Sequence, residues 1–165
     1  MQTEILTFDE LAPRVAYEVW RLRQDVFVVE QNCPYPDLDG RDLETGTRHL
    51  VLLDAEAVVG TLRILDDGDV WRIGRVVLAR SARGQGLADT MITAALAATT
   101  DRDVVLDAQS PLAGWYGSHG FMIDGAEFVD DGIAHLPMRL HRSGAAVDQD
   151  GIDQDGVDQD GSGTM

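Results

Sequence analysis

Residues 73–88 read IGRVVLARSARGQGLA: an apolar, β-branched run, a turn carrying arginines, two glycines one residue apart, then the start of a segment rich in Ala and Leu. A strand that runs through glycines into a helix fixes where that helix begins and what its first turn faces. The leading N–H groups of a helix have no intrahelical partners and lie at the positive end of its dipole, so an anion can rest on them wherever no side chain intervenes. Gly84 and Gly86 leave that space, and Arg80 and Arg83 bring positive charge to it. A tight turn without any ligand would use the same two glycines.

Three phosphate-binding patterns compete for this stretch. A Walker A loop needs a lysine, and the 13 basic residues of the chain are all arginine. The lack of lysine also removes Schiff-base and pyridoxal chemistry. A dinucleotide fingerprint begins correctly at Gly84 and Gly86 and finds an acid, Asp107, about 20 residues on, but Asp89 stands where the third glycine belongs. The third pattern, Arg-x-x-Gly-x-Ala, is met by Arg83, Gly86 and Ala88.

Charge narrows the partners. The 165 residues carry 29 acidic groups against 13 arginines, a formal charge of −16, so no nucleic-acid partner is expected. A chain of this length buries roughly 70% of its unfolded surface and needs neither disulfide nor metal to fold; its single cysteine, Cys33, cannot form an intrachain bridge. The opening MQTEILTFDE has no signal-peptide pattern, and no apolar run approaches the roughly 20 residues of a membrane span. A cytoplasmic protein without a membrane partner is the expectation.

The composition breaks after Arg142. Three copies of a five-residue unit follow, Val147 to Gly151, Ile152 to Gly156 and Val157 to Gly161, with six aspartates and no aromatic residue. Such a segment cannot bury enough surface to offset chain entropy, so residues 143–165 are expected to form a disordered acidic tail behind one domain at 1–142. Asp-x-Asp-Gly also opens calcium loops, but no copy has the closing glutamate.

Within the domain two periodicities alternate. Ile5 to Phe8 reads as a strand, and Pro13 as the first residue of an amphipathic helix whose apolar positions are Val15, Val19, Leu22 and Val26. Runs at 49–54, 57–65 and 70–78 predict an antiparallel meander. A helix is expected at 87–99, a buried strand at 104–108, a short helix at 111–119, and a hairpin from 126–129 to 135–140 around Asp130-Asp131-Gly132. The fold class is α+β, with a mixed sheet flanked by helices.

Two of these motifs in this order, Arg83-Gly84-Gln85-Gly86-Leu87-Ala88 after a strand and then Trp115-Tyr116-Gly117-Ser118-His119-Gly120-Phe121, resemble the GNAT superfamily of acyl-CoA N-acyltransferases. The segment Val26 to Asp42, Thr47-Arg48-His49-Leu50 and Asp130 to His135 resemble its ElaA-like branch, and the likeness runs from about Phe8 to Arg139. The resemblance implies a GNAT-like, mostly antiparallel mixed sheet and direct transfer of an acetyl group from acetyl-CoA to a primary amine in a ternary complex, without a metal. It implies that Arg83, Gly84, Gln85, Gly86, Leu87 and Ala88 hold the coenzyme A pyrophosphate and that Val76, Val77 and Leu78 lie along pantetheine. Gln109 and Leu112 stand where the family often has Asn and Ala; Gln109 can still bond an amide. The acceptor would be a small-molecule or peptide amine and the assembly a monomer or homodimer. A non-catalytic acyl-CoA-binding or interaction module of the same fold is the alternative.

Amide formation from a thioester needs a neutral amine, a polarised carbonyl and a proton for the departing sulfur. Tyr116 resembles the family's tyrosine acid, and a phenol stays protonated at neutral pH. Glu30 and His49 are the candidate bases; Glu30 reads equally as a solvated or hydrogen-bonded loop residue, and His49 as a strand-edge histidine. His119 and His135 have no metal-ligand spacing with another His or Cys, and Cys33 beside Pro34 reads as structural. Asp37, Asp39 and Asp42, in the irregular segment 31–42, either attract a cationic amine or only solvate the loop.

Overall fold

The computed structural model describes residues 1–142; the repeat segment expected to be disordered lies outside the described residues. In chain order the regular elements are β1 (Gln2–Leu6), α1 (Pro13–Arg23), β2 (Arg48–Asp54), β3 (Ala57–Asp66), β4 (Trp71–Leu78), α2 (Leu87–Ala97), β5 (Val104–Gln109), α3 (Ala113–Ser118), β6 (Met122–Ile123), β7 (Phe128–Asp130) and β8 (Ile133–Leu140). They build one eight-stranded sheet in the order β1-β2-β3-β4-β5-β8-β6, with β7 pairing β8. The meander β1 to β4 and the β7–β8 hairpin are antiparallel, and β4 to β5 is the one parallel pair among the described residues.

Alternation along β2 shows how both sheet faces are used. Leu50 and Leu52 pack with Met91, Ile92 and Ala95 of α2, whereas Val51 and Leu53 pack with Leu11 and Val19 on the α1 side. A strand covered on both faces reads as a continuous apolar run, which is why HLVLL carries no alternation. Gly60 on β3 sits under close packing: a Cβ there would come 2.7 Å from Leu78 Cδ2 and 2.8 Å from Met91 Sδ, so those two side-chain ends would have to shift to admit one.

Helix α1 starts at Pro13 as expected but does not stop cleanly. Residues Gln24–Glu30 form a π-helical turn closed by i→i−5 bonds, Gln31 N–H to Val26 O at 3.0 Å and Cys33 N–H to Val28 O at 3.1 Å. The extra residue per turn rotates Phe27, Glu30 and Gln31 toward the middle of the sheet, where they line a cavity.

The loop that follows is pinned by a buried ionic network. Arg23, only 1% exposed, donates to Asp37 at 2.8 Å and to Asp42 at 2.7 Å. Arg63 forks onto Asp39 with two bonds of 2.8 Å, and Arg75 reaches Asp37 and Asp39. Hydrogen bonds from Arg63 hold Asp39 well below the ordinary carboxylate range. Burial alone would raise Asp42, but hydrogen bonding to Arg23 and the charges of Arg23 and Arg63 outweigh it and hold Asp42 low. Buried pairs of this kind stabilise mainly by never being left half-made.

Arg23→Leu leaves two carboxylates without their main partner and is expected to cost about 3 kcal/mol, the low end for a broken buried pair because Arg63 and Arg75 remain; urea unfolding should show it, with a melting point lowered by about 10 °C. The pH dependence has a defined sign. Burial pushes His49 below the usual imidazole value, and Asp39 and Asp42 are also depressed. Stability from each is present above its unfolded pKa and lost as pH falls, so the urea midpoint should drop first below about pH 6.5 and again below about pH 4. His49→Gln should remove the upper step.

Candidate active site

Strands β4 and β5 pair only at Trp71↔Val104 and Arg72↔Val105 and then part. A bulge on β4 drives them apart: Thr61 faces Val77 and Arg63 faces Gly74, so Arg75 and Val76 together oppose the single Leu62, with Arg75 at φ +54°. The wedge between the diverging strands opens into a cavity of about 790 Å³, ample for a cofactor-sized ligand. Val76, Val77 and Leu78 line one wall; Leu106 and Gln109 line the other. The β5-facing edge of β4 beyond Arg72 therefore offers strand backbone to whatever enters.

At the end of β4 the glycine loop turns into α2. Gly84 and Gly86 have φ of +72° and +74°, and a Cβ at either would meet nothing within 4 Å. Steric contact within the protein therefore does not demand glycine; the left-handed backbone does, and the space over it stays clear. The N–H groups of Gly84, Gln85, Gly86, Leu87 and Ala88 form no hydrogen bond within the described residues. Aligned, unpaired amides at a helix start suit an anion, so these residues fit a pyrophosphate. Gln85 does not point to the cavity with its side chain, which donates instead to Ser81 O at 2.8 Å.

Asp89, the residue that breaks the dinucleotide fingerprint, has a different task. Its carboxylate accepts from Trp115 Nε1 and His119 Nε2, both at 2.9 Å, and so clamps α3 against the first turn of α2. Between those two residues Tyr116 is 6% exposed and packs edge-on against Phe121, with ring centres 6.0 Å apart. Its hydroxyl has no partner in the described residues, yet it is not sealed from solvent, and the residue lines the cavity. Burial pushes the phenol up to about 12, which keeps it protonated at neutral pH.

Glu30 lines the same cavity but not as a ready base. Arg83 meets it with two bonds of 2.8 and 3.1 Å and Arg80 with one of 3.0 Å. Hydrogen bonds from Arg83 and then Arg80 hold its carboxyl down to about 2, and so weak a base takes little proton from an ammonium. The carboxylate instead holds Arg80 and Arg83, the two arginines just ahead of the glycine turn, in place.

The other base candidate, His49, is 1% exposed, and its Nε2 lies 3.3 Å from Asp42 O; it is a structural residue beside the ionic network. Asp37, Asp39 and Asp42 are saturated by Arg23, Arg63 and Arg75, so they neither attract an amine nor merely solvate the loop. Gln109 lies on the cavity wall with its amide donating to Gln31 Oε1 at 3.2 Å. Cys33 ties its loop to the β7–β8 turn, its thiol donating to Asp131 O at 3.4 Å. His135, which spacing alone left without a role, also faces the cavity, as do Asp130 and Asp131. Among the described residues no group of three His, Cys, Asp or Glu side chains is arranged to hold a metal.

A splayed parallel pair, an amide-rich glycine loop at its mouth and a buried tyrosine beside it thus form one site. The family model of the acetyltransferase (GNAT) domain matches residues 25–142. Protein ElaA of Escherichia coli is 37% identical over 140 residues, covering 81% of this chain and 92% of its own length. A UPF0039 protein of Mycobacterium bovis is 49% identical over 140 residues, covering 82% and 90%. Among solved structures, an acyl-CoA N-acyltransferase from Pseudomonas aeruginosa superposes with a TM-score of 0.80 at 36% identity, over 84% of this chain and 98% of that one. The fold, the order of the motifs and these similarities together place the chain in the GNAT acetyltransferase family, within its ElaA-like branch.

Proposed function

We propose that this protein is a cytoplasmic acyl-CoA-dependent N-acyltransferase that moves an acetyl group from acetyl-CoA to a primary amine of a small molecule or peptide, directly and within a ternary complex. The observation that carries the reading is the continuous cavity joining the unpaired amides after Arg83 to the Tyr116 hydroxyl through the gap between β4 and β5.

In this reading the amides of Gly84 to Ala88 hold the pyrophosphate, with Arg83 and Arg80 adding charge. Val76 to Leu78 offer backbone to pantetheine and a main-chain N–H to the thioester oxygen. Gln109 bonds an amide of the same arm. The co-substrate brings an activated acyl carbon with a good leaving group. Tyr116 gives its proton to the departing sulfur, and the desolvation that raises the phenol also raises a thiolate formed beside it, so the transfer is not strongly uphill. Glu30 acts as the counter-ion that orders Arg80 and Arg83 for the incoming phosphates.

The activity test is thiol release from acetyl-CoA with phenethylamine, putrescine and a peptide with an unblocked N-terminus. Turnover by the wild type supports the transferase; tight coenzyme A binding with no thiol release from any amine favours the non-catalytic module. Tyr116→Phe should fold, bind acetyl-CoA and lose kcat by roughly 10²–10⁴-fold, checked by single-turnover rates beside a melting curve. Gly86→Val puts a branched side chain at φ +74° and over the amides. It should weaken coenzyme A binding at least about tenfold in calorimetry, while destabilising the fold by only about 1–2 kcal/mol.

A further inference from the structure

Amide formation consumes a neutral amine, and with Glu30 and His49 both committed elsewhere the proton of an ammonium acceptor needs a destination. His135 supplies one. Its Nδ1 lies 2.8 Å from Ile133 O, and since a carbonyl oxygen only accepts, Nδ1 carries the ring hydrogen. In the neutral ring Nε2 is then the basic nitrogen. That nitrogen has no hydrogen-bond partner among the described residues and is not sealed from solvent, and the residue lines the cavity. The ring is held by stacking on Phe128 of β7, with centres 5.6 Å apart and planes 21° apart.

The sheet puts this nitrogen on the side opposite the proposed acid. His135 pairs with Gln109, and Ala108 with Leu136. Ala108 and Met138 belong to the core under α2 and α3, where Tyr116 packs; His135, one residue out of step, shares the other face with Gln109 and Asp107. An amine approaching from that face meets the acyl carbon across the gap from Tyr116. Asp130 and Asp131, beside it on the hairpin, form no ion pair among the described residues and would draw a cationic acceptor to this side.

We propose that His135 is the general base of the transfer, an assignment that rests on the N-acyltransferase reading above. His135 Nε2 takes one proton from the acceptor ammonium. The neutral nitrogen forms the C–N bond at the acyl carbon as the C–S bond breaks. Tyr116 gives its proton to the departing sulfur and regains one from the solvent, into which the new amide nitrogen sheds its second proton. His135 returns its proton to water, so the net release is one proton per turnover.

The test compares wild type, His135→Gln and His135→Ala with acetyl-CoA and each of the three amines named above. At pH 7 both variants should lose roughly 10²–10⁴-fold in kcat/KM with coenzyme A affinity unchanged in calorimetry. The deficit should close as pH rises past the acceptor amine's own pKa, where no base is needed, and added imidazole should restore turnover in His135→Ala. The charged and titratable groups on the elements around His135 include Asp107 and Arg72 from β5 and β4, Asp130 and Glu127 from the β7 side, Asp131 in the turn, the Cys33 thiol, and the Tyr35 and Tyr116 phenols across the cavity, both of which burial raises above the ordinary phenol value. As classes, carboxylates and guanidinium groups keep their charge across that alkaline range, and Cys33→Ala in the same series removes the thiol from consideration. Activity within about threefold of wild type, or a loss that persists at high pH without imidazole rescue, overturns the assignment alone. A wild type that binds acetyl-CoA but releases thiol with none of the amines overturns the transferase reading and this assignment with it. The wild-type ring gives an independent check: nitrogen NMR showing the neutral His135 with its hydrogen on Nε2 overturns the proposal, and hydrogen on Nδ1 supports it.

Discussion

The parting of β4 from β5 is the constraint on which the rest of this structure depends. Two parallel neighbours that paired along their full length would fill the middle of the sheet with hydrogen bonds and leave no path between its faces. The bulge at Arg75 and Val76 ends the pairing after two residues, and the cost of the exposed ladder is offset by the cores that grip each strand from its other side. β3 holds β4 in an antiparallel ladder, and β8 does the same for β5 along six residue pairs. The gap is therefore a fixed element of the fold, a position where the sheet cannot close rather than one where it has come loose.

The two faces of the sheet divide the work around that gap. On one side α2 and α3 present unpaired amides and the Tyr116 hydroxyl, and Asp89 locks the two helices together at the turn where both matter. On the other side the π-helical turn, the loop pinned by Arg23 and the β7–β8 hairpin form a second rim. Arg75 joins the two functions: its backbone makes the bulge, and its side chain, lying over Tyr35 with 5.3 Å from guanidinium to ring centre, reaches the carboxylates that anchor the rim.

Much of the fold was readable in the sequence because its signals are local. The meander, the helix after Gly86 and the final hairpin follow from periodicity and turn chemistry within a few residues, and their observed limits differ from the expected ones by a residue or two at most ends. The glycine turn before that helix was readable for the same reason. The π-helical turn was not, because Gln24 to Glu30 continues the apolar spacing of α1 and nothing in QDVFVVE marks a change of pitch. Nor could spacing show that Glu30 meets arginines 50 and 53 residues away, or that Arg23 and Arg63 neutralise the loop aspartates. For His135 spacing excluded only a metal site; the proposed role rests on a strand register and on one hydrogen bond to a backbone oxygen, and neither leaves a pattern in the sequence.

The ring of cations around the cavity has a chemical consequence of its own. Arg23, Arg63, Arg72, Arg75, Arg80 and Arg83 carry the charge pairing near the gap, and no lysine side chain occurs anywhere in the chain. A guanidinium stays protonated at any physiological pH and offers no lone pair to an acyl carbon, whereas a lysine in the same place would be a competing nucleophile. In the reading proposed above, a reactive thioester held beside so many cations meets no side-chain amine that it could label. In that reading the ionic framework is inert toward the very reagent it surrounds.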